Sequence, residues 1–310
     1  MPQRSLEVTT SIGCPNACIY CPQSIFIKAY NSKKTRMTIT DFKKYIETVP
    51  TDIRIGFGGY SEPFLNKDCV DMIIYAYHRG HKLFVNTTAV GMTIGDIDRL
   101  KMVKFDRFVL HLPDVEGYTK IPTSDEHLKL VTYLKETIPT SNLLCMAMGE
   151  FPPKFKNAFK NVLNPYTGST LNEFPANSRL GLLKFIKTAR NYGSLKCINE
   201  SYHNNHLLPD GRVNVCGEDW QLKYVLGNLN KSSYENIIKS TKFIEMQNDL
   251  KKFWENRTLC RKCGYARPTR PFFFLNFHFL MNYFRIRILN KKLLKRSIFK
   301  VFKLRNSKLR

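Results

Sequence analysis

Three cysteines close to the N-terminus have the types and spacing that could bind a metal centre. Cys14, Cys18 and Cys21 form the pattern Cys-x3-Cys-x2-Cys, and Pro15 and Asn16 within it favour a loop. A cubane iron–sulfur cluster normally takes four protein thiolates, so three would leave one iron open to a small molecule. Structural zinc sites are the alternative, but they need four closed ligands, and the spacing therefore favours a cluster over zinc.

A second pattern follows downstream, in the segment 54–68. A short apolar strand is predicted there, and it is followed by Gly58 and Gly59 and then by Glu62. Glycines at the end of a strand let the backbone approach a ligand closely. The segment 5–10 alternates and is rich in β-branched residues, so it predicts a strand that leads into the cysteine loop.

Together the two motifs resemble those of the radical S-adenosylmethionine (SAM) superfamily. That family combines a Cys-x3-Cys-x2-Cys loop with a Gly-Gly-Glu-type motif after the second strand. It also carries an aromatic residue before the third cysteine, a position that Tyr20 occupies here. The chain departs from the family pattern because two residues separate Gly59 from Glu62. Both motifs are nevertheless present in the family's order.

The resemblance implies a cofactor site whose residues follow from motif position. The three cysteines would hold a 4Fe–4S cluster, whose open iron takes the amino and carboxylate groups of SAM. Backbone groups of Gly58 and Gly59 would meet the methionine amino group, the Tyr20 backbone would face the adenine, and Glu62 belongs to the same site. One electron, from a reductant such as flavodoxin or ferredoxin, would cleave SAM to a 5'-deoxyadenosyl radical that abstracts hydrogen from a substrate.

Predicted strands and helices alternate regularly over the N-terminal half of the sequence. The strands are predicted over 52–57, 82–86, 107–112 and 142–148, and the helices over 38–48, 68–79, 94–102 and 126–137. Such alternation predicts an α/β fold with a parallel sheet of βαβ units, and by itself it allows either a barrel or a doubly wound sheet. The resemblance implies a partial (β/α)6 TIM-like barrel, whose active site lies at the C-terminal strand ends.

Two further polar residues fall at predicted strand ends, where the resemblance implies cofactor contacts. Asn86, with Thr87 and Thr88 after it, resembles a Thr-Asn-Gly turn of the family, although the glycine is missing. A turn that caps the next helix explains these residues equally well. His111 stands where the family often carries a polar residue near the cofactor ribose, but a lone histidine at a strand end is more often structural.

Four more cysteines come from three places in the C-terminal third: Cys197, Cys216, Cys260 and Cys263. Their chemistry alone favours a closed zinc site over a second cluster. The segment 208–216 contains an Asp-Gly turn and predicts a hairpin that delivers one of these cysteines. These surroundings resemble the auxiliary-cluster module called SPASM, or twitch in its four-cysteine form. The resemblance therefore implies a small α+β domain with an auxiliary 4Fe–4S cluster that accepts electrons.

Two acidic residues, Glu218 and Asp219, follow shortly after Cys216. Oxidation of a substrate hydroxyl to a carbonyl needs a base, and some relatives place an acidic residue here in that role, so both are catalytic candidates. The alternative is that Asp219 orients the cluster loop. The remaining cysteines, Cys69 and Cys145, fall in apolar segments, where free cysteines behave as small buried hydrophobes.

The chain is strongly basic, with a net charge of +24 over 310 residues. Residues 271–310 hold 11 Lys or Arg and no acidic residue, interleaved with aromatic and aliphatic side chains. This pattern predicts membrane-surface contact; a docked helix with a disordered basic end is an equal alternative, and nucleic-acid binding ranks lowest. The odd count of nine cysteines and the lack of a signal-peptide pattern predict a reducing, cytoplasmic location.

These observations predict a radical SAM partial barrel over 1–190, a twitch-type auxiliary domain over 191–270 and a basic aromatic tail over 271–310. The function favoured is a radical oxidoreductase that oxidises a sugar, cyclitol or related small metabolite. Radical modification of a peptide or RNA is the alternative within the same superfamily. A zinc-stabilised binding protein without catalysis is the alternative from another class.

Overall fold

The computed structural model describes residues 4–140, 142–162, 179–180, 182–183, 193–197, 203–251 and 259–269. The chain divides into two compact units, the first formed by Met1–Ser169 with Glu200–Ile244 and the second by Thr170–Asn199 with Glu245–Arg310. The predicted boundaries at residues 190 and 270 stay a prediction, and the basic tail lies outside the described residues. In the described part, no helix is long and apolar enough to cross a membrane.

An eight-stranded sheet organises the first unit. Its five N-terminal strands are parallel and lie in the order β5-β4-β3-β2-β1. They are β1 (Ser5–Val8), β2 (Arg54–Phe57), β3 (Leu83–Thr87), β4 (Phe105–His111) and β5 (Leu143–Met146). All five strands were predicted from the sequence, because each is an apolar or β-branched run of the length that strands favour.

Six helices alternate with these strands. They are α1 (Gln23–Ala29), α2 (Ile39–Ile46), α3 (Cys69–His78), α4 (Ile94–Leu100), α5 (Asp125–Thr137) and α6 (Pro153–Phe159). The predictions for α2 to α5 are confirmed. The sequence analysis missed α1 and α6, which have only seven residues each and therefore span about two turns, too few to establish a helical period.

Local sequence fixes where several helices begin. Thr38 precedes α2 and accepts a hydrogen bond from the Asp41 N–H, while the Asp41 carboxylate accepts the Thr38 N–H. The same reciprocal capping box joins Thr93 and Asp96 at α4. Because such caps satisfy orphan backbone donors, they set the point at which the chain leaves a strand-end loop for a helix.

Three further strands extend the sheet on the other side of β1. The strand β7 (Asn204–Leu207) pairs parallel with β1, and β8 (Arg212–Asn214) and β9 (Val225–Asn228) continue it antiparallel. The hairpin predicted over 208–216 is confirmed, and Gly211 lies in its turn with a φ of +85°. The six parallel strands confirm the partial TIM-like barrel class, with the sixth placed beside β1.

Side-chain alternation gives the sheet two different faces. Leu6 and Val8 are fully buried on one face. The opposite face carries a row in register across five strands: His206, Glu7, Gly56, Phe84 and Arg107. This row is apolar at its centre, where Gly56 and Phe84 lie, and polar at both ends.

Phe84 fills the centre of that row. A Cβ atom at Gly56 would lie 2.1 Å from the Phe84 ring, so the ring occupies the space that the glycine leaves open. The guanidinium groups of Arg54 and Arg107 each lie 5.0 Å from the ring centroid. Cation–π contacts of this kind hold an aromatic ring in place.

The first unit closes with the short helix α7 (Tyr234–Ile238), and α8 (Thr241–Lys251) follows it along the chain. The second unit contains an antiparallel pair, β6 (Leu195–Cys197) with β10 (Ala266–Pro268), and a 3-10 helix over Leu259–Lys262. The pairing sets Cys197 opposite Ala266.

Candidate active site

The three N-terminal cysteines occupy the loop between β1 and α1, and all three are half-buried. The Cys21 side chain hydrogen-bonds to the Cys18 thiol, and this contact, with a smaller one from Tyr20, lowers the pKa of Cys18. Burial raises the pKa of the Cys14 thiol, although a backbone group of Glu62 hydrogen-bonds to it. The thiols of Cys18 and Cys21 are therefore in contact, and the Cys14 thiol contacts Glu62 of the glycine motif.

Glu62 is the centre of a buried network and is only 3% exposed. Its Oε1 atom accepts hydrogen bonds from the Thr87 hydroxyl at 2.5 Å and the Phe64 N–H at 3.3 Å. Its Oε2 atom accepts both the N–H and the hydroxyl of Thr88 at 2.7 Å. Asn16, inside the cysteine loop, donates to the Thr88 hydroxyl at 3.0 Å. The cysteine loop, the glycine motif and the turn after β3 are thus joined through one carboxylate.

Gly58 and Gly59 follow β2 and pack tightly against neighbouring strands. A Cβ atom at Gly59, where φ is +73°, would lie 2.4 Å from Thr9 Oγ1 and 3.3 Å from His206 Nδ1. A Cβ atom at Gly58 would lie 2.8 Å from the Glu7 carboxylate. Only glycine fits both positions without displacing its neighbours, which is the environment that a close backbone–ligand contact requires.

The sequence analysis missed a polar cluster beside these glycines. Glu7 Oε1 accepts hydrogen bonds from the Gly59 N–H at 2.9 Å and from Asn86 Nδ2 at 2.8 Å, and Oε2 lies 3.4 Å from His206 Nε2. His206 is 5% exposed, and its Nδ1 atom has no hydrogen-bond partner among the described residues. Burial lowers the pKa of His206, although the negative charges of Glu7 and Glu218 oppose this. The imidazole is therefore neutral near pH 7.

One signal in the sequence could have found this cluster. Glu7 alternates with Leu6 and Val8, so a strand over this segment must direct a carboxylate to the face opposite its apolar neighbours. His206 alternates in the same way with the buried Leu207. A charged residue within an otherwise apolar buried strand needs a partner or a function.

The remaining N-terminal candidates lie at strand ends, as predicted. Asn86 is engaged with Glu7, and His111 ends β4 opposite Met146. Burial lowers the pKa of His111 to about 4, so this imidazole is neutral at physiological pH. Cofactor contacts of Asn86, His111 and Tyr20 stay predictions. Cys69 and Cys145 are fully buried.

The four C-terminal cysteines are divided between the two units. Cys216 follows β8 in the first unit and is 6% exposed. In the second unit, burial and, to a smaller extent, the nearby Cys197 raise the pKa of Cys260 to about 12. The Cys263 sulfur accepts a hydrogen bond from the Tyr265 N–H at 3.4 Å. Their assignment to one auxiliary cluster stays a prediction.

Asp219 is held by its own loop. Its carboxylate oxygens accept hydrogen bonds from the backbone N–H groups of Lys223 at 3.1 Å and Tyr224 at 2.7 Å. Burial raises the pKa of this carboxyl, since the side chain is only 2% exposed. These contacts support the loop-orienting interpretation, and a catalytic role for Asp219 stays a prediction. Glu218 lies close enough to His206 to influence its titration.

Comparison with family models decides the class of the protein. The model of the radical SAM superfamily matches residues 8–160, which contain both N-terminal motifs. The chain belongs to the radical SAM superfamily. The model of an iron–sulfur cluster-binding domain, SPASM, matches residues 197–264. Enzymes with these two domains use a 4Fe–4S cluster, SAM and auxiliary iron–sulfur clusters. The comparison therefore gives no support to a zinc-stabilised binding protein. A comparison with curated proteins gave no match.

Solved structures of other radical SAM enzymes have a similar fold. BtrN in complex with AdoMet and 2-DOIA is 18% identical, with a TM-score of 0.56 over 87% of this chain and 94% of that chain. For anSMEcpe with bound AdoMet, the identity is 16% and the TM-score 0.54, over 97% and 95% of the two chains. Streptococcus suis SuiB bound to its precursor peptide SuiA is 12% identical, with a TM-score of 0.57 over 86% and 70%. At these identities the likeness shows the fold alone.

The thiols of Cys14, Cys18 and Cys21 are chemically suited to bind the first iron–sulfur cluster of this radical SAM enzyme. Soft thiols are the ligands that iron–sulfur clusters take. Those of Cys18 and Cys21 are already in contact, and all three are half-buried on a short loop. In the described part of the chain, no three His, Cys, Asp or Glu side chains are close enough to share a single metal ion.

We expect Gly59→Ala to weaken SAM binding roughly tenfold or more, since strain and displacement of about 1–3 kcal/mol fall on the turn that is predicted to contact SAM. The matched control is Gly80→Ala. Gly80 also has a positive φ, of +87°, but a Cβ atom there would meet nothing within 4 Å. Equilibrium dialysis of SAM against both reconstituted variants measures the effect. An equal loss of affinity in both variants would contradict a role for the Gly59 turn.

Proposed function

We propose that this radical SAM enzyme oxidises a hydroxyl group of a small polar metabolite, such as a sugar or cyclitol. The observation that carries the proposal is the cluster of Glu7, Asn86 and His206 beside the Gly58-Gly59 turn. Carboxylate, amide and neutral imidazole groups provide the donors and acceptors that a polyhydroxylated substrate needs. They lie at the strand ends, where parallel βα folds bind their substrates.

When bound, the cofactors supply one-electron chemistry: SAM yields a 5'-deoxyadenosyl radical that takes a hydrogen atom from the substrate, and the auxiliary cluster receives one electron. The protein must remove the hydroxyl proton and exclude water. The two acidic candidates for this base are Asp219, whose oxygens accept two backbone amides, and Glu218, whose charge acts on His206.

The structural relatives support two substrate classes. BtrN, solved with 2-DOIA, favours a small metabolite, and this chain covers 94% of it. SuiB and anSMEcpe, each solved with a peptide, favour radical modification of a peptide, at the lower identities of 12% and 14%. Peptide modification is therefore the second candidate. A small one-electron reductant, such as flavodoxin or ferredoxin, is the proposed redox partner, and membrane contact by residues 271–310 stays a prediction.

Deuterium transfer into 5'-deoxyadenosine distinguishes the substrate classes even while the substrate is unidentified. The anaerobically reconstituted enzyme is incubated with SAM, dithionite and an extract of bacteria grown in deuterium oxide. Ultrafiltration separates that extract into small molecules, peptides and RNA. We expect deuterated 5'-deoxyadenosine with the small-molecule fraction, because the radical takes its hydrogen from the substrate. Label that appears only with the peptide or RNA fraction would overturn the proposal.

Asp219→Asn tests the predicted base. We expect 5'-deoxyadenosine to form while oxidised product falls by roughly a hundredfold, as for loss of a general base. The measurement is the ratio of product to 5'-deoxyadenosine by mass spectrometry, with Glu218→Gln in parallel. A fall in the Glu218 variant alone would place the base at Glu218, and an unchanged ratio in both variants would remove both acids from the mechanism.

A further inference from the structure

Tyr60 connects the two cysteine loops of the first unit. It directly follows Gly59 in the chain. Its backbone carbonyl accepts a hydrogen bond from the side-chain amide of Gln23, which lies two residues beyond Cys21. Its hydroxyl donates to the backbone carbonyl of Cys216 at 2.9 Å. One residue therefore contacts the start of α1 directly after the N-terminal cysteine loop, the glycine turn and the loop that holds Cys216.

The Tyr60 hydroxyl is buried, and it both donates and accepts hydrogen bonds. The side chain is 1% exposed, and the hydroxyl accepts a hydrogen bond from Asn214 Nδ2 at 2.8 Å. The Asp219 carbonyl is a second and more distant acceptor, 3.3 Å from the hydroxyl. Because a buried hydroxyl has one proton and few acceptor positions, these partners fix its direction. A shift of the Tyr60 backbone must therefore move or break the contact with the Cys216 carbonyl.

The Tyr60 ring is held as firmly as its hydroxyl. It stacks on Phe26, with centroids 4.4 Å apart and planes inclined by 25°, and it meets Trp220 edge to face at 4.9 Å. Phe26 belongs to α1, the first helix after the N-terminal cysteine loop, and Trp220 lies in the loop that follows Cys216. Aromatic pairs in this geometry add stabilisation beyond their buried area. The Phe26 and Trp220 rings also meet edge to face at 6.1 Å, so the three rings form one cluster that joins α1 to the loop after Cys216.

We propose that Tyr60 is a positioning residue that couples SAM binding to the auxiliary cluster. SAM bound at the Gly58-Gly59 turn alters the Tyr60 backbone, and the hydroxyl transmits the change to the Cys216 carbonyl. Hydrogen bonding and dipoles close to a cluster ligand set the reduction potential of the cluster. The coupling is reciprocal, so the redox state of the auxiliary cluster also changes the affinity for SAM. This inference rests on the proposed role of Cys216 as a cluster ligand.

A redox titration of the reconstituted full-length enzyme tests the coupling. The auxiliary-cluster signal is followed by electron paramagnetic resonance with and without S-adenosylhomocysteine, which lacks the sulfonium and is not cleaved. We expect the ligand to shift the midpoint potential in the wild-type enzyme. Tyr60→Phe removes the hydroxyl but keeps the stacked ring, so we expect the shift to disappear while iron content and ligand affinity are retained.

Tyr75→Phe is the matched control. Among the described residues the Tyr75 hydroxyl hydrogen-bonds to Glu47, at 3.3 Å and on the surface, so the shift should survive. Gln23→Ala removes the hydrogen bond to the Tyr60 carbonyl. We expect it to reduce the shift in midpoint potential, and this test stands even if the Tyr60 variant fails to hold its clusters. Absence of a shift in the wild type, or a full shift in both Tyr60→Phe and Gln23→Ala, would overturn the proposal. An iron content of only about four per chain would overturn it too. Deuterium transfer would still report on the proposed function.

Discussion

Replacement of Cys18 by alanine is expected to reduce 5'-deoxyadenosine formation to background. Cys18 is central in the Cys-x3-Cys-x2-Cys loop, and its thiol contacts the side chains of both Cys21 and Tyr20. Two thiolates do not hold a cubane cluster that takes three from this loop, so iron content should fall by about four per chain. The measurements are iron analysis and chromatography of 5'-deoxyadenosine after incubation with SAM and dithionite.

The matched control for Cys18→Ala is Cys69→Ala. Cys69 is also a free cysteine, but it is fully buried at the start of α3 and does not belong to the loop sequence. The control should keep its irons and its SAM cleavage. Full cleavage activity in Cys18→Ala, or an equal loss in the control, would contradict the assignment of the N-terminal triad.

Glu62→Ala is expected to lower the free energy of unfolding by about 2–6 kcal/mol. The substitution leaves the buried N–H groups of Phe64 and Thr88 without their acceptor, and each such loss costs about 1–3 kcal/mol. It also cuts the connection that runs through Thr88 to Asn16 in the cysteine loop. SAM affinity should therefore fall together with stability.

Urea denaturation of the reconstituted protein, followed by circular dichroism, measures the stability effect. The control is Glu136→Ala, at an exposed position of α5, which should change stability little. Glu62→Gln keeps one acceptor oxygen but turns an amide N–H towards the donors, so an intermediate loss is expected. Unchanged stability in Glu62→Ala would show that the Thr87-Thr88 turn does not depend on this carboxylate.

The Glu62 contacts also change how the glycine motif is understood. The resemblance to the family placed Glu62 in the cofactor site, whereas its two oxygens accept four hydrogen bonds from the protein itself. The carboxylate that faces the glycine turn is instead Glu7, through the Gly59 N–H. Glu62 thus shapes the site by joining strand ends, and a direct contact with SAM stays a prediction.

The sequence by itself determined the features that depend on local order. The spacing of Cys14, Cys18 and Cys21 specified a loop with three thiols, and the helix predicted over 38–48 matches α2, whose N-cap the structure places at Thr38. The alternation of apolar strands and amphipathic helices specified a parallel α/β sheet, because each element's period is written in consecutive residues. The helices α1 and α6 were too short to leave such a period.

Only the tertiary structure decided which distant residues meet. The pairing of β7 with β1 brings His206 beside Glu7, and the parallel order of β1 to β3 brings Asn86 to the same carboxylate. Strand order is set by packing between segments far apart in the chain, and local periodicity carries no information about it. For the same reason, the sequence offered Asp219 as a base without showing that its oxygens accept two backbone amides.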